Sequence, residues 1–411
     1  MEKSEFIQLN LSLNLIYSYN LCRLENRIES GINYIDSDGY FIVKNRKLDT
    51  SDLNLLIQRN NGNIIFDEKT KNVFDEVNNI AKGKNMEFSA KLKVENSIIN
   101  IIDKDKNLID DYREKKSGRI VLSDCQGKIY TKDIAISQNV DKLYKELRQS
   151  VNELSFVAEN RLKVENFKKN EVACIIFSPE SAGYLVHEIF GHMLEIDSEC
   201  INNYFYKHNY LGKKVCSENL NIIDTHISEM SIGLSNYDDE GSKLKEAILV
   251  ENGVIKNFIV NRKLAKEINQ EEIFGFARCE SYRSKPIARM RNTYIKNNTA
   301  GMNLNEIIET TNSGYLINDI QFGRVDINTG NYQLFCGLIY FIKNGKKREA
   351  YYGAIITGNI LSTMGNITEV GRDLKFGFGD CVKNAQPIMV GMGSPTIKVK
   401  SLNINGGYYG L

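Results

Sequence analysis

The sequence predicts an α+β fold with two domains, and three observations support this prediction. Residues 1–166 mix short apolar segments with polar connections and end in an amphipathic helical pattern. From residue 167 onward, β-strand signals dominate and surround one helix. The chain has 411 residues, of which 42% are hydrophobic, so it can form two cores. We expect a small N-terminal α+β domain over residues 1–166 and a larger, mainly antiparallel, barrel-like C-terminal domain over residues 167–411.

Two elements can be placed in the N-terminal domain. The β-rich segments on either side of Gln126-Gly127 predict a hairpin. Apolar residues then recur at helical spacing and predict an amphipathic helix that closes the domain. These residues are Val140, Leu143, Tyr144, Leu147, Val151 and Leu154. The charged stretch at residues 104–119 is interpreted as a solvated linker or helix face.

The C-terminal domain begins with a strand and a helix. The run EVACIIF at residues 171–177 is typical of a buried strand. Ser178 can cap a helix and Pro179 suits its first turn, so we expect a helix to begin here. Farther along, Asn252-Gly253 and Asn344-Gly345 each lie between β-rich arms, which is the strongest short signal for a hairpin.

Composition and charge exclude several functional classes. The chain has 53 Lys and Arg residues against 52 Asp and Glu residues, so it lacks the basic character that nucleic-acid binding requires. The N-terminal segment lacks the features of a secretory signal, and the longest apolar runs are too short to span a bilayer. The eight cysteines are widely spaced and predict reduced thiols. We expect a cytoplasmic protein that binds neither nucleic acid nor membranes.

The segment LVHEIFGHMLE holds two of the four histidines of the chain, His187 and His192. Positions i and i+5 of a regular α-helix lie about 140° apart, so the two rings cannot bind one ion without a distortion. A π-type turn would bring them to one side. Gly191 is the residue at which a distorted backbone costs least, so we expect a bulge or break near it.

Two imidazoles suit Zn²⁺, and a catalytic zinc site needs a third protein ligand and an open position. Glu188 follows the first histidine and would act as the general base of a hydrolysis reaction. The residues alone leave the third ligand open. The candidates are Glu195, Asp197, Cys200, His208, His226 and Cys381.

Several segments resemble the TldD/PmbA family of metallopeptidases. HEIFGHMLE resembles the metal-binding helix of its catalytic members, and ARCESYRSKPIARMRNTYI resembles its Pro-x-x-Arg-Met-x-Asn-Thr segment. GFGDCVKNAQPIMVGMGSPTIKVKSLNINGG resembles its closing segment, in which a Cys precedes Gly-x-Gly-x-Pro-Thr. The likeness also includes YDDEGSKLKEAILVENGVIKNFIV and extends over residues 167–411, the protease region of the family.

The resemblance implies a zinc peptidase that acts on unfolded or modified linear peptides, in peptide maturation or turnover. It implies that His187, His192 and Cys381 bind the metal, with Glu188 as the catalytic base. It also implies a homodimer, or a heterodimer with a related metal-free subunit. Residues 167–411 would then be the metalloprotease domain.

Other residues have weaker chemical assignments. Tyr282 and Arg291 are candidates for stabilising the oxyanion and holding the substrate backbone, although both also fit a solvated basic strand. YDDEG at residues 237–241 is interpreted as a turn or sheet edge. The glycines of GMGSP are interpreted as sites where backbones pass closely.

Two alternative functions remain open at this level. The chain could be a non-catalytic peptide-binding subunit with a structural metal, in which Glu195 or His208 would be a fourth ligand. It could also be a thiol hydrolase in which one histidine activates Cys381.

Overall fold

The computed structural model describes most of the chain. The described residues are 5–18, 21–35, 41–45, 68–102, 108–135, 140–161, 163–197, 202–226 and 233–407. Cys200 lies outside them, so its candidacy as a metal ligand stays a prediction.

The described residues of the first part of the chain form six strands and two helices. Strands β1 to β6 are Glu5–Ser18, Leu21–Ile35, Phe41–Asn45, Glu87–Ile102, Leu108–Ser123 and Ile129–Ala135. Helices α1 and α2 are Glu68–Gly83 and Val140–Arg161. The predicted hairpin and amphipathic helix are therefore confirmed as β5–β6 and α2.

The second part of the chain is rich in strands. Strands β7 to β15 are Glu165–Asn166, Asn170–Phe177, Ile222–Thr225, Gly233–Leu234, Ala247–Glu251, Val254–Ile255, Ala277–Arg278, Ile287–Ala288 and Asn292–Ile295. Strands β16 to β23 are Ser313–Ile317, Ile320–Asp326, Asn331–Lys343, Lys346–Asn359, Ile367–Val370, Lys375–Lys383, Gln386–Ser394 and Ile397–Asn405. Its helices are short: α3 Pro179–Leu185, a π-helical turn Val186–Gly191, α4 His192–Leu194, α5 Tyr204–Lys207, α6 Arg262–Glu267, α7 Leu304–Glu309 and α8 Ile360–Gly365.

The first part of the chain forms one antiparallel sheet in the order β10-β5-β4-β1-β2-β3, with β6 also paired to β5. Helices α1 and α2 pack on this sheet through a buried cluster that includes Phe74, Leu92, Ile120 and Leu147. Strand β10 comes from later in the chain, so this sheet is completed by residues that follow residues 179–194, the helix that carries His187 and His192 and is here called the motif helix.

Three further sheets are formed by the remaining described strands, the smallest of which is the pair β13-β14. A six-stranded sheet has the order β12-β11-β9-β15-β22-β21. An eight-stranded sheet has the order β17-β18-β16-β8-β23-β19-β7, with β20 also paired to β23. Because β18 also pairs with β19, the pairings β18-β16-β8-β23-β19 return to β18. A large hydrophobic cluster lies between these sheets and encloses the motif helix, with Val186, Ile189 and Phe190 fully buried. The protein is a mixed α+β, strand-rich fold, as the sequence predicts.

Both Asn-Gly hairpins are confirmed. Asn252 and Gly253 have φ values of 48° and 77°, and Asn344 and Gly345 have φ values of 51° and 71°. Positive φ at both central residues defines the tight turn that matches the twist of the flanking strands. These turns join β11 to β12 and β18 to β19.

The interpretation of residues 104–119 as a linker or helix face is wrong, because residues 108–119 belong to strand β5. Arg113 on this strand forms ion pairs with Asp111 and with Asp239 of the second part of the chain. The side chain of Asp111 is fully buried and that of Asp239 is 5% exposed. Asp111 and Arg113, two residues apart on one face of the strand, therefore form buried contacts, whereas Asp110 and Arg119 are exposed.

Among the described residues, no helix combines the length and the apolar character needed to cross a lipid bilayer.

We expect Arg113→Met to destabilise the protein by about 3–5 kcal/mol, because it leaves two buried carboxylates without their cation. The measurement is the free energy of unfolding in urea. Arg148→Met is the matched control, since Arg148 pairs with Glu76 on the surface and both side chains are more than 40% exposed. An exposed pair of this kind contributes less than about 1 kcal/mol, so equal losses in the two variants would contradict the expectation.

Candidate metal centre

The motif helix begins where the sequence places its start. The Ser178 hydroxyl accepts a hydrogen bond from the Ser181 N–H, and Pro179 occupies the first turn. Strand β8 ends at Phe177, immediately before this cap. The cap therefore fixes the direction in which the helix leaves the eight-stranded sheet.

The predicted distortion of the helix is confirmed. Val186–Gly191 forms a π-helical turn, in which the His192 N–H donates to the His187 carbonyl oxygen five residues earlier. The extra residue in this turn brings the two imidazoles together, and their ring centroids lie 4.8 Å apart.

The reason for glycine at position 191 differs from the predicted one. The backbone of Gly191 is ordinary right-handed helix, with φ −62° and ψ −55°. A Cβ atom at this position would lie only 2.0 Å from the Met290 sulfur. Gly191 is thus required by the close approach of Met290 and not by an unusual backbone conformation.

Cys381 reaches the histidines from strand β21. Its Sγ atom lies 3.5 Å from His192 Nε2, and the ligand atoms of His187, His192 and Cys381 all lie within 4.8 Å of one another. Within the described residues, this cluster is the group of His, Cys, Asp and Glu side chains with the geometry to hold a metal ion. Two imidazoles and a thiolate are ligands that Zn²⁺ accepts, so the residues fit this metal.

The electrostatics of the cluster favour a thiolate. Burial would raise the pKa of Cys381, but hydrogen bonds and charges from His187 and His192 outweigh burial and lower it to about 5. Burial would lower the pKa of His192, but Glu195 and the thiolate of Cys381 raise it to about 10. A deprotonated sulfur is the form that binds a metal.

Glu195 orients His192 from behind. Its carboxylate lies 2.9 Å from His192 Nδ1, so Nε2 is left to face Cys381. Glu195 also accepts hydrogen bonds from the Met290 N–H and from Lys383. A carboxylate behind a ligating histidine fixes its tautomer and orientation, so Glu195 supports the cluster and does not join it.

The other candidate ligands lie elsewhere. Asp197 forms an ion pair with Lys383 at 2.8 Å. His208 is exposed and lies within hydrogen-bond distance of the Tyr204 carbonyl oxygen. His226 lines a separate cavity. Of the described candidates, Cys381 alone joins the two histidines, as the resemblance implies.

Two basic residues that the sequence did not single out hold Cys381 in place. Arg289 is fully buried and donates hydrogen bonds to the carbonyl oxygens of Cys381 and Gln386. Lys383, two residues after Cys381, pairs with Glu195 and Asp197 beyond the end of the motif helix. The pairing of opposite charges across nearly two hundred residues gave no local sequence signal.

Glu188 lies beside the cluster with its side chain 17% exposed, and its carboxylate is 3.9 Å from His187 Nε2. Tyr184, one helical turn earlier, packs against Cys381 and faces Glu188 and the Gly323 N–H. Burial and the negative charge of Glu188 raise the pKa of Tyr184, so its hydroxyl stays protonated. Tyr184 is a polar group of the site that sequence reasoning missed, because helical spacing alone is typical of a core aromatic.

Tyr282 and Arg291 make structural contacts away from the cluster. Tyr282 is 2% exposed and packs in a hydrophobic cluster with Ile99, Ile101 and Cys279. Arg291 pairs with Asp224 and donates hydrogen bonds to backbone carbonyl oxygens. These contacts give no support to their predicted roles in catalysis, which stay predictions.

The interpretations of YDDEG as a turn and of the GMGSP glycines as sites of close backbone approach agree with the structure. Asp238 of YDDEG accepts hydrogen bonds from the backbone N–H groups of Glu240, Ser242 and Ala277, which makes the segment a turn. In GMGSP, a Cβ atom on Gly391 would lie 2.2 Å from Asn292 Oδ1, so this glycine permits a close approach of strands.

We expect Gly191→Ala to destabilise the protein by about 1–3 kcal/mol, because the new methyl group overlaps the Met290 sulfur. Gly83→Ala is the matched control, since a Cβ atom at Gly83 meets nothing within 4 Å. The free energy of unfolding is measured for Gly191→Ala, for Gly83→Ala, for Met290→Ala and for the double variant Gly191→Ala with Met290→Ala. An additive double variant would show that the overlap with Met290 is not the cause.

Comparison with known proteins gives an independent view of the chain. Residues 170–406 match the sequence profile of the PmbA/TldA metallopeptidase C-terminal domain. The chain is 35% identical over 248 residues to a zinc metalloprotease TldD homolog from Saccharolobus solfataricus, covering 60% of this chain and 54% of that protein. It is 31% identical over 259 residues to a metalloprotease from Methanocaldococcus jannaschii, covering 62% of this chain and 56% of that protein. The chain spans about half the length of the curated relatives that it matches.

The fold has a counterpart among solved structures. The crystal structure of TldE from Thermococcus kodakarensis superposes with a TM-score of 0.73 at 17% sequence identity, over 98% of this chain and 97% of that chain. This likeness concerns the fold alone. Since the family profile spans well over half of the sequence, the chain belongs to the TldD/PmbA family of metallopeptidases.

Proposed function

We propose that the protein is a zinc-dependent peptidase that hydrolyses unfolded or modified linear peptides, in peptide maturation or turnover. The observation that carries the proposal is the convergence of His187, His192 and Cys381 within 4.8 Å, with Glu188 beside them. The names of the metalloprotease relatives support it.

In this proposal His187, His192 and Cys381 would hold the zinc ion. Zn²⁺ supplies Lewis acidity, which polarises a peptide carbonyl and makes water more acidic. Glu188 takes a proton from the attacking water and delivers it to the leaving nitrogen. Glu195 keeps His192 oriented, and Arg289 and Lys383 keep Cys381 within reach.

The substrate would bind in an extended form along strand β17. This strand is the edge of the eight-stranded sheet, and its Gly323 lies against Glu188. A Cβ atom on Gly323 would lie 3.1 Å from Glu188 Cγ. An extended peptide added at this edge would run past the catalytic base, which suits a linear substrate.

Four broader features belong to the proposal. Two domains with a boundary near residue 166 are supported by separate hydrophobic clusters, and a barrel-like body is supported by the closed circuit of strand pairs. A cytoplasmic location is supported by the free thiols of the six cysteines whose side chains the structure describes. Assembly as a homodimer or with a related metal-free subunit rests on the family resemblance of the sequence.

The alternative of a non-catalytic subunit with a structural metal has less support. A structural zinc site is closed by four protein ligands. The described residues bring three together, and Glu195 is occupied by His192, Lys383 and the Met290 N–H.

We expect Glu188→Gln to lower kcat by about 10²–10⁴-fold while the protein still binds one zinc ion per chain, because the amide cannot accept the proton. Cleavage of an unstructured peptide and metal content are measured together. Glu180→Gln is the control, since Glu180 lies on the same helix but pairs with Lys375 at the surface. A Glu188→Gln variant as fast as wild type would refute the proposed role of Glu188.

We expect removal of zinc with a chelator to abolish cleavage, and we expect Cys381→Ser to weaken zinc binding by about tenfold or more because it removes a thiolate ligand. Zinc affinity is measured by competition with a chromophoric chelator. Cys174→Ser is the control, because Cys174 lies outside the cluster. Full activity after removal of the metal would instead support Cys381 as a nucleophile activated by His192.

A further inference from the structure

A second polar cavity, of about 110 Å³, lies where strand β5 meets the segments around YDDEG and β13. Its wall contains four cationic side chains, Arg113, Lys115, Arg278 and Arg291. It contains two acidic ones, Asp238 and Asp239. The cavity is separate from the metal-binding cluster and has no part in the proposed hydrolysis.

Two of the four cations are already neutralised. Arg113 pairs with Asp111 and Asp239, and Arg291 pairs with Asp224 at 2.6 Å. These groups are buried, and two arginines among three carboxylates leave one negative charge in excess. Neither arginine requires a further counterion.

Lys115 and Arg278 are the two cations of this wall without a direct ion pair, and together they exceed the negative charge left by the arginine pairs by one. Neither has a described carboxylate within the 4.0 Å of an ion pair. Arg278 donates to the carbonyl oxygens of Met290 and Met389, which carry no net charge. Burial lowers the pKa of Lys115, the charges of Glu95 and Asp239 oppose this shift, and the charge of Arg278 adds to it. Burial lowers the pKa of Arg278 to about 10.

The carboxylates near this wall already have other partners, and Glu95, opposite Lys115 on strand β4, pairs with Lys93 at 2.7 Å. Asp238 accepts three backbone hydrogen bonds, and burial raises its pKa to about 7. Asp239 is occupied by Arg113 and by the Cys279 N–H. His226 Nδ1 is buried without a hydrogen-bond partner among the described residues, which leaves one more polar atom unsatisfied at the wall.

We propose that this cavity binds a small oxyanion, a carboxylate or a phosphate group, held by Lys115 and Arg278. Burial removes a charge from water, and a partner of the opposite charge offsets the resulting loss of hydration. Both side chains bind carboxylates and phosphates through charge-assisted hydrogen bonds. The volume corresponds to a few water molecules at about 30 Å³ each, which suits a compact anionic group.

The test uses Lys115→Met, because Lys115 makes no hydrogen bond or ion pair to any described residue and its loss leaves no partner unsatisfied. Thermal unfolding of the full chain is followed while inorganic phosphate or acetate replaces chloride at constant ionic strength. We expect a saturable rise in the Tm of the wild type. The Kd of the variant should be weaker by about tenfold or more, the loss of one charged hydrogen bond.

Two further variants make the test decisive. Lys91→Met, on the neighbouring strand β4, removes an exposed lysine and should respond to anions as the wild type does. Lys115→Glu places a carboxylate in the cavity near Arg278, so it should abolish the response to anions and unfold at a higher temperature than the wild type in chloride alone.

Each outcome of these measurements either identifies the bound anion or overturns the proposal. The anion that saturates at the lower concentration identifies the group that the cavity accepts. A wild type without saturable stabilisation by either anion would overturn the proposal, as would a Lys115→Met variant that responds like the wild type. None of these measurements depends on zinc or on peptidase activity, so the result is independent of the proposed function.

Discussion

The metal-binding cluster depends on one backbone hydrogen bond, from the His192 N–H to the His187 carbonyl oxygen. In a regular α-helix the same N–H would bond to Glu188, and the two rings would point about 140° apart. The π-helical turn removes this separation, and the packing around it keeps the turn in place. Val186, Ile189 and Phe190 are fully buried, and Met290 fills the space where a side chain at position 191 would lie. The local distortion is thus stabilised by tertiary contacts.

The third side chain of the cluster is held by a different kind of contact. Cys381 lies 189 residues after His192 in the sequence. Strand pairing sets the position of its backbone, but further contacts are needed to hold its sulfur beside His192. Arg289 holds the carbonyl oxygen of Cys381, and Lys383 ties strand β21 to Glu195. Because Glu195 also orients His192, one carboxylate links the helix to the strand. A change at Glu195 would therefore affect two of the three side chains together.

Local features of this structure could be predicted from the sequence, whereas contacts between distant segments could not. The cap at Ser178, the Asn-Gly hairpins and the π-helical turn each follow from a few adjacent residues. The third ligand came from a family resemblance, since six candidates fitted equally well by chemistry alone. The charged first part of strand β5, residues 108–118, was missed because its charges look solvated until Asp239, 126 residues after Arg113, is brought beside it. Tyr282 and Arg291 were assigned from their chemical types, but type does not reveal the hydrophobic cluster or the Asp224 carboxylate that they contact.

Charge and ligand chemistry connect the two sites of this molecule. Around the metal-binding cluster, Lys383 and His192 balance Glu195, while the Cys381 sulfur and the two imidazoles converge within 4.8 Å. At the second cavity the sign is reversed, because Lys115 and Arg278 share one wall and neither forms an ion pair with a described carboxylate. Folding places such groups together only at a cost in free energy, which a ligand of the opposite charge reduces on binding. The same reasoning therefore assigns a cation to the cluster at the motif helix and an anion to the cavity beside strand β5.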